Sequence, residues 1–192
     1  RTRAMQYPRP SRSVCLDNQL MRARVGVQAL RTPEEAVAMF RSALEGESIS
    51  DAATTYGLVL ALTAAGRADE AALALDSIWS DDCNRIEYVI AGAEIDLARG
   101  DAARAVSTLE RRLTLSPGNH PLTMSYASAL QQAGSPHLAE AVLLEQSRVV
   151  TTDPGLWYLL AEVQGLAGNI VGLHRSRAEY FILVLSLIHI SE

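Results

Sequence analysis

Apolar residues recur three and four positions apart along most of the chain, in runs interrupted by short polar turns, and this spacing predicts amphipathic helices rather than strands. The string "AATTYGLVLALTAAGRADEAALAL", Ala52 to Leu75, holds two such runs joined by a glycine turn, and "LARGDAARAVSTL", Leu97 to Leu109, repeats its second half. Glycines recur every 34 residues, at Gly66, Gly100, Gly134 and Gly168. Five residues after the first three lie Ala71, Ala105 and Ala139, and four beyond those lie Leu75, Leu109 and Leu143. A glycine at the turn is expected to end one helix in the left-handed conformation that a residue without Cβ adopts cheaply. The alanine is expected where two helices cross most closely, and the leucine in the gap toward the next pair.

Capping chemistry supports the same division. Asp101 follows Gly100, Ser135 and Pro136 follow Gly134, and Asp153 with Pro154 opens a further helix; each reads as an N-cap, with proline in the first turn where present. A looser copy precedes these, "LMRARVGVQALRTPEEAVAMFRSALEG", in which Thr32, Pro33 and Glu35 form a capping box, Arg31 replaces the turn glycine, and Ala36 and Phe40 take the small and large positions. A later copy opens with Trp157, Leu160 and Ala161 but has Leu173 and Arg177 where alanine and leucine are expected. Either the register slips in that helix or the helix packs against something else.

A helix-turn-helix unit of 34 residues with this pattern is the tetratricopeptide repeat (TPR). The chain is therefore expected to be an all-α, TPR-like right-handed superhelical solenoid of about five helix pairs over 17–183, with a linker at 1–16 and an irregular tail at 184–192. The first helix of each pair would line a concave face that binds peptides or other domains. Counting ten residues back from each glycine gives Tyr56, Ile90, Met124 and Tyr158, with Met21 in the first copy, and one turn further on come Leu60, Glu94, Ser128 and Glu162. These are the candidate peptide-binding groove, although any one of them could instead pack between repeats. Tyr, Ile, Met and Tyr make a mildly apolar, adaptable ladder suited to extended polypeptide.

Composition narrows the function. Apolar residues make up 48% of the 192, aromatics only 5%, and the net charge is −5, with no lysine anywhere. The absence of a basic stripe argues against nucleic acid, and the absence of lysine argues against the Lys-based carboxylate clamp of co-chaperone TPR domains. Cys15 and Cys83 share no metal-ligand spacing with each other or with the four histidines; a disulfide between them is left open. No HExxH, GxSxG or glycine-rich phosphate loop is present, the nearest string being "HLAEA" at His137, with Glu140 misplaced for a zinc-bound water. No catalytic residue, metal ligand or cofactor is expected in this chain. His174, beside Arg175, reads as a surface or packing residue. The apolar run at the C-terminus is too short to span a bilayer, which takes about 20 such residues.

The strings "LDNQLMRARVGV", "NHPLTMSYASALQQAG" and "HRSRAEYFIL" resemble the C-terminal half of the periplasmic β-barrel assembly-enhancing metallopeptidases, which join an HExxH zinc protease domain to a TPR domain. Leu20 to Arg24 correspond to the helix leading from protease to repeats, and Ala178 with Glu179 to a late repeat helix. The resemblance implies a periplasmic location, zinc held only by a protease domain upstream, and repeats that dock client polypeptide, that protease domain and the outer-membrane assembly machinery. None of the family's zinc ligands falls in this chain. The opening Arg1 and the extended "RTRAMQYPRPSRS" fit a piece of a longer protein beginning in an interdomain linker. The ending "LSLIHISE" obeys no repeat phase and resembles translated sequencing-adapter sequence. The alternative function is a free-standing TPR scaffold of secretion or pilus assembly.

Overall fold

A computed structural model describes residues 12–46, 51–79 and 85–190, with side chains over 16–46, 51–79 and 85–186. Every regular element among the described residues is an α-helix: α1 (Arg12–Ala29), α2 (Pro33–Gly46), α3 (Ala52–Ala64), α4 (Ala68–Ile78), α5 (Ile86–Ala98), α6 (Ala102–Leu115), α7 (His120–Gln132), α8 (Pro136–Ser147), α9 (Pro154–Leu166) and α10 (Ile170–Ile190). They fall into two compact units, Arg1–Cys83 and Asn84–Glu192. The first holds α1 to α4 and the second α5 to α10.

The glycine turns are built as expected. Gly66, Gly100, Gly134 and Gly168 have φ of 74°, 81°, 75° and 77°, where an alanine would be strained. In each turn the residue after the glycine donates its N–H to a carbonyl six-to-one across the helix end: Arg67 to Leu62 at 2.9 Å, Asp101 to Asp96 at 2.8 Å, Ser135 to Leu130 at 2.9 Å and Asn169 to Gln164 at 2.8 Å. Carbonyls that would otherwise be orphaned at the helix end are thus satisfied.

The small-then-large rule holds in four pairs. Ala36, Ala71, Ala105 and Ala139 are all fully buried, and Phe40, Leu75, Leu109 and Leu143 are buried one turn later. Asp101 caps α6 by accepting from Arg104 N–H at 3.1 Å, Asp153 accepts from Gly155 N–H at 2.8 Å, and Thr32 Oγ1 accepts from Glu35 N–H at 3.2 Å. Ser135 occupies the N-cap of α8 without a side-chain cap bond, and Pro136 alone sets the first turn.

The fifth pair solves the crossing differently. Leu173 stands in the alanine position, and the space it needs comes from α9, where a Cβ on Gly165 would lie 2.9 Å from Leu173 Cδ1. The small residue has changed helices. One turn on, Arg177 is exposed and the buried position moves back by one to Ser176, whose Oγ donates to Gln164 Oε1 at 2.8 Å. α10 also runs on to Ile190 through most of the segment expected as an irregular tail, because Val184 to Ile190 contain no glycine or proline to end it.

Candidate functional site

In the second unit the repeat phase brings four of the expected groove residues around one cleft of about 230 Å³. Ile90 and Glu94 come from one face of α5 and Met124 and Ser128 from the matching face of α7, since residues four apart in a helix lie on one side. Leu159 of α9 adds an apolar wall. Ile90 is buried at the base, while Glu94, Met124 and Ser128 are half-exposed. A volume below about 300 Å³ is small for a drug-sized ligand and suits one or two side chains of a bound polypeptide. The cleft offers those side chains an apolar floor, a thioether that adapts its shape and a carboxylate at the rim.

Tyr158 and Glu162 line a second cleft of about 250 Å³, between α9 and α10, with Ala161, Arg177, Tyr180 and Phe181. The Tyr158 and Tyr180 rings meet edge to face with centroids 5.7 Å apart, and Tyr180 meets Phe181 likewise at 5.4 Å. Hydrogen bonding to Glu162, reinforced by its charge, pushes the Tyr158 hydroxyl above the ordinary tyrosine value, while Arg177 pulls it down.

The first unit places its candidates otherwise. Tyr56 is 1% exposed and Leu60 7%, because α3 is covered by its neighbours. The Tyr56 hydroxyl accepts from Arg24 Nη2 at 2.9 Å, and the Arg24 guanidinium lies 5.8 Å from the Tyr56 ring centroid. Met21 on α1 is 55% exposed.

A polar knot in the second unit has no signature in the sequence. His120 Nε2 lies 2.7 Å from Asp153 Oδ2, and Gln146 Nε2 lies 3.1 Å from His120 Nδ1. An amide nitrogen only donates, so Nδ1 accepts and Nε2 carries the hydrogen toward the carboxylate. The knot ties the start of α7 and the end of α8 to the N-cap of α9, and so fixes the spacing of the helices that carry Met124 and Tyr158.

Among the described residues no group of three or more His, Cys, Asp or Glu side chains could hold a metal ion. His174 is exposed, and Glu140 Oε1 accepts from Asn169 Nδ2 at 2.6 Å. Cys83 and the side chain of Cys15 lie outside the described residues. No helix among the described residues is long and apolar enough to cross a membrane.

No protein-family model matches the chain. Among solved structures it is similar to a thermophilic TPR protein of Thermus thermophilus, with a TM-score of 0.71, 20% identity and coverage of 88% of this chain and 91% of that one. It is also similar to PilF of Pseudomonas aeruginosa, with a TM-score of 0.61, 15% identity and coverage of 91% of this chain and 78% of that one. Identity this low carries the fold alone, and the fold is the all-α, TPR-like helix-pair solenoid.

Proposed function

We propose that this chain is a protein-interaction module whose second unit holds an extended stretch of polypeptide along its first helices, in the cleft of Ile90, Glu94, Met124 and Ser128 and onward to Tyr158 and Glu162. The observation that supports this most is that one cleft gathers two residues from each of two repeat phases, ten and six before the turn glycine. Tyr56 and Leu60 fill the interior of the first unit and serve the module by stiffening it. Within that reading, the module is the client- and partner-docking half of a periplasmic zinc metallopeptidase of outer-membrane protein quality control, and presents polypeptide to a protease domain that precedes it. The strings around Leu20, His120 and His174 that resemble that family support this assignment. Zinc would belong to the protease domain, as the family resemblance implies, and no chemical step is assigned to this chain. A scaffold of secretion or pilus assembly is the second reading, favoured by the likeness to PilF.

Two experiments test these readings. A photo-crosslinking side chain at Met124 should label reduced, carboxymethylated lactalbumin as an unfolded probe, while the same group at exposed Leu73, on α4, should not; equal labelling from both sites contradicts the groove. The encoding frame before Arg1 separates the parent proteins, with HExxH and a downstream glutamate supporting the protease and a signal peptide directly upstream supporting the scaffold.

A further inference from the structure

Charge in the second unit is sorted by helix. α5, α7 and α9 carry Glu87, Glu94, Asp96 and Glu162 but no arginine. The arginines of that unit lie on α6 and α10 or at helix ends, as Arg85, Arg99 and Arg148 do. The histidine that opens α7, His120, is turned toward Asp153. The first helices of this unit are therefore acidic and apolar, and its guanidinium groups are placed elsewhere.

Glu94 brings that charge to the groove. Among the described residues lining the cleft of Ile90 and Met124, Glu94 alone is charged, and its neighbours there are apolar or hydroxyl-bearing. The cleft between α9 and α10 differs, because Arg177 stands in it with Glu162. A polypeptide lying on the apolar floor strips water from the half-exposed Glu94 carboxylate, which is costly unless a cation meets it. Apolar walls also concentrate the field of such a charge. A hydrogen bond to Glu94 from within the fold leaves that charge in place.

We infer that this cleft takes a segment in which an apolar residue and a Lys or Arg stand two positions apart, with the cation facing Glu94. The inference rests on the polypeptide groove proposed for the second unit and names the segment that groove prefers. The spacing follows from geometry. Ile90 and Glu94 are one turn of α5 apart, about 6 Å along the axis, and side chains two apart on an extended chain share a side at about 6.6 Å. The cation thus reaches the carboxylate while the apolar side chain rests on Ile90 and Met124. An Asp or Glu at the same place is rejected by like charge.

The probes are fluorescently labelled peptides built from three copies of Leu-Ser-Xaa-Ser, with Xaa as Lys, Gln or Glu, titrated by fluorescence anisotropy into the full chain. The lysine peptide should bind roughly tenfold or more tightly than the glutamate peptide, a difference of about 1.4 kcal/mol, with the glutamine peptide between them. Glu94→Gln should bring all three within about threefold of one another, with helical content unchanged. Glu110→Gln, the same charge change at an exposed site on α6, should leave the order as it is. If the lysine and glutamate peptides bind the parent chain equally and Met124→Ala weakens both, the groove stands and this inference is overturned. Equal effects of Glu94→Gln and Glu110→Gln would trace the order to net charge and overturn it as well. Binding of none of the three overturns the groove and this inference together.

Discussion

Phe40 of α2 packs directly on Gly57 of α3, so closely that the space of a Cβ at Gly57 is already taken by the phenylalanine ring. The pair explains why a glycine stands in the middle of a buried helix, where it costs about 0.5–1 kcal/mol relative to alanine in an unconstrained site. Gly57→Ala should therefore destabilise rather than stabilise, by about 1–3 kcal/mol from overpacking. Adding Phe40→Leu should return part of that loss, a non-additivity expected of residues in contact. Urea unfolding of the two single variants and the double variant measures it; strict additivity would show that the ring and the glycine do not compete for the same space.

The caps divide into two kinds. Asp101 accepts a backbone hydrogen bond at 3.1 Å and Ser135 accepts none through its side chain. Asp101→Ala should cost about 1 kcal/mol, whereas Ser135→Ala should fall within about 0.5 kcal/mol of the parent chain. Thermal midpoints of the two variants compare them directly, and equal losses would mean that the cap bond does not set the difference.

Asp96 gives a pH dependence. Its carboxylate is nearly buried in α5, with Arg104 Nε at 3.4 Å. Burial pushes the Asp96 carboxyl above the ordinary aspartate range, and the charge of Arg104 only partly offsets it. The folded chain thus holds this proton more tightly than the unfolded chain. The stability it contributes is complete below the unfolded value of about 4 and is lost as pH rises through the folded value. Asp96→Asn removes this term, so its stability relative to the parent should improve as pH rises above about 4 and level off once the pH passes the folded value. Urea midpoints across that range test it; a relative stability that falls with pH would mean that the Arg104 pairing outweighs burial.

Much of the fold was legible because the repeat makes the same physical demand at the same phase. Gly100 must adopt positive φ, Ala105 must let two helices approach, and Leu109 must fill what they leave; residue type follows from each demand. The exchange of Leu173 and Gly165 was not legible, because the compensation lies on the other helix and the alternation within α10 does not record it. The knot of His120, Gln146 and Asp153 joins residues 26 and 33 positions apart, beyond any local pattern. Of the candidate groove residues, phase brings Ile90, Glu94, Met124 and Ser128 around one cleft, since it fixes which helix face a residue occupies. Phase does not fix what covers that face. Tyr56 occupies the same position as Ile90 and Met124, yet Arg24 takes its hydroxyl and its ring is buried, which depends on side chains in the pair before it.

The most direct test of the binding role is a titration of fluorescently labelled, reduced and carboxymethylated lactalbumin with the parent chain and with a variant carrying Met124→Glu and Ser128→Glu. Both residues are half-exposed, so the variant should keep its helical content and melting cooperativity. If the second unit holds polypeptide in this cleft, the two charges should weaken binding roughly tenfold or more, as loss of a central contact does. Binding of the unfolded probe that is unchanged by the two glutamates would contradict the account.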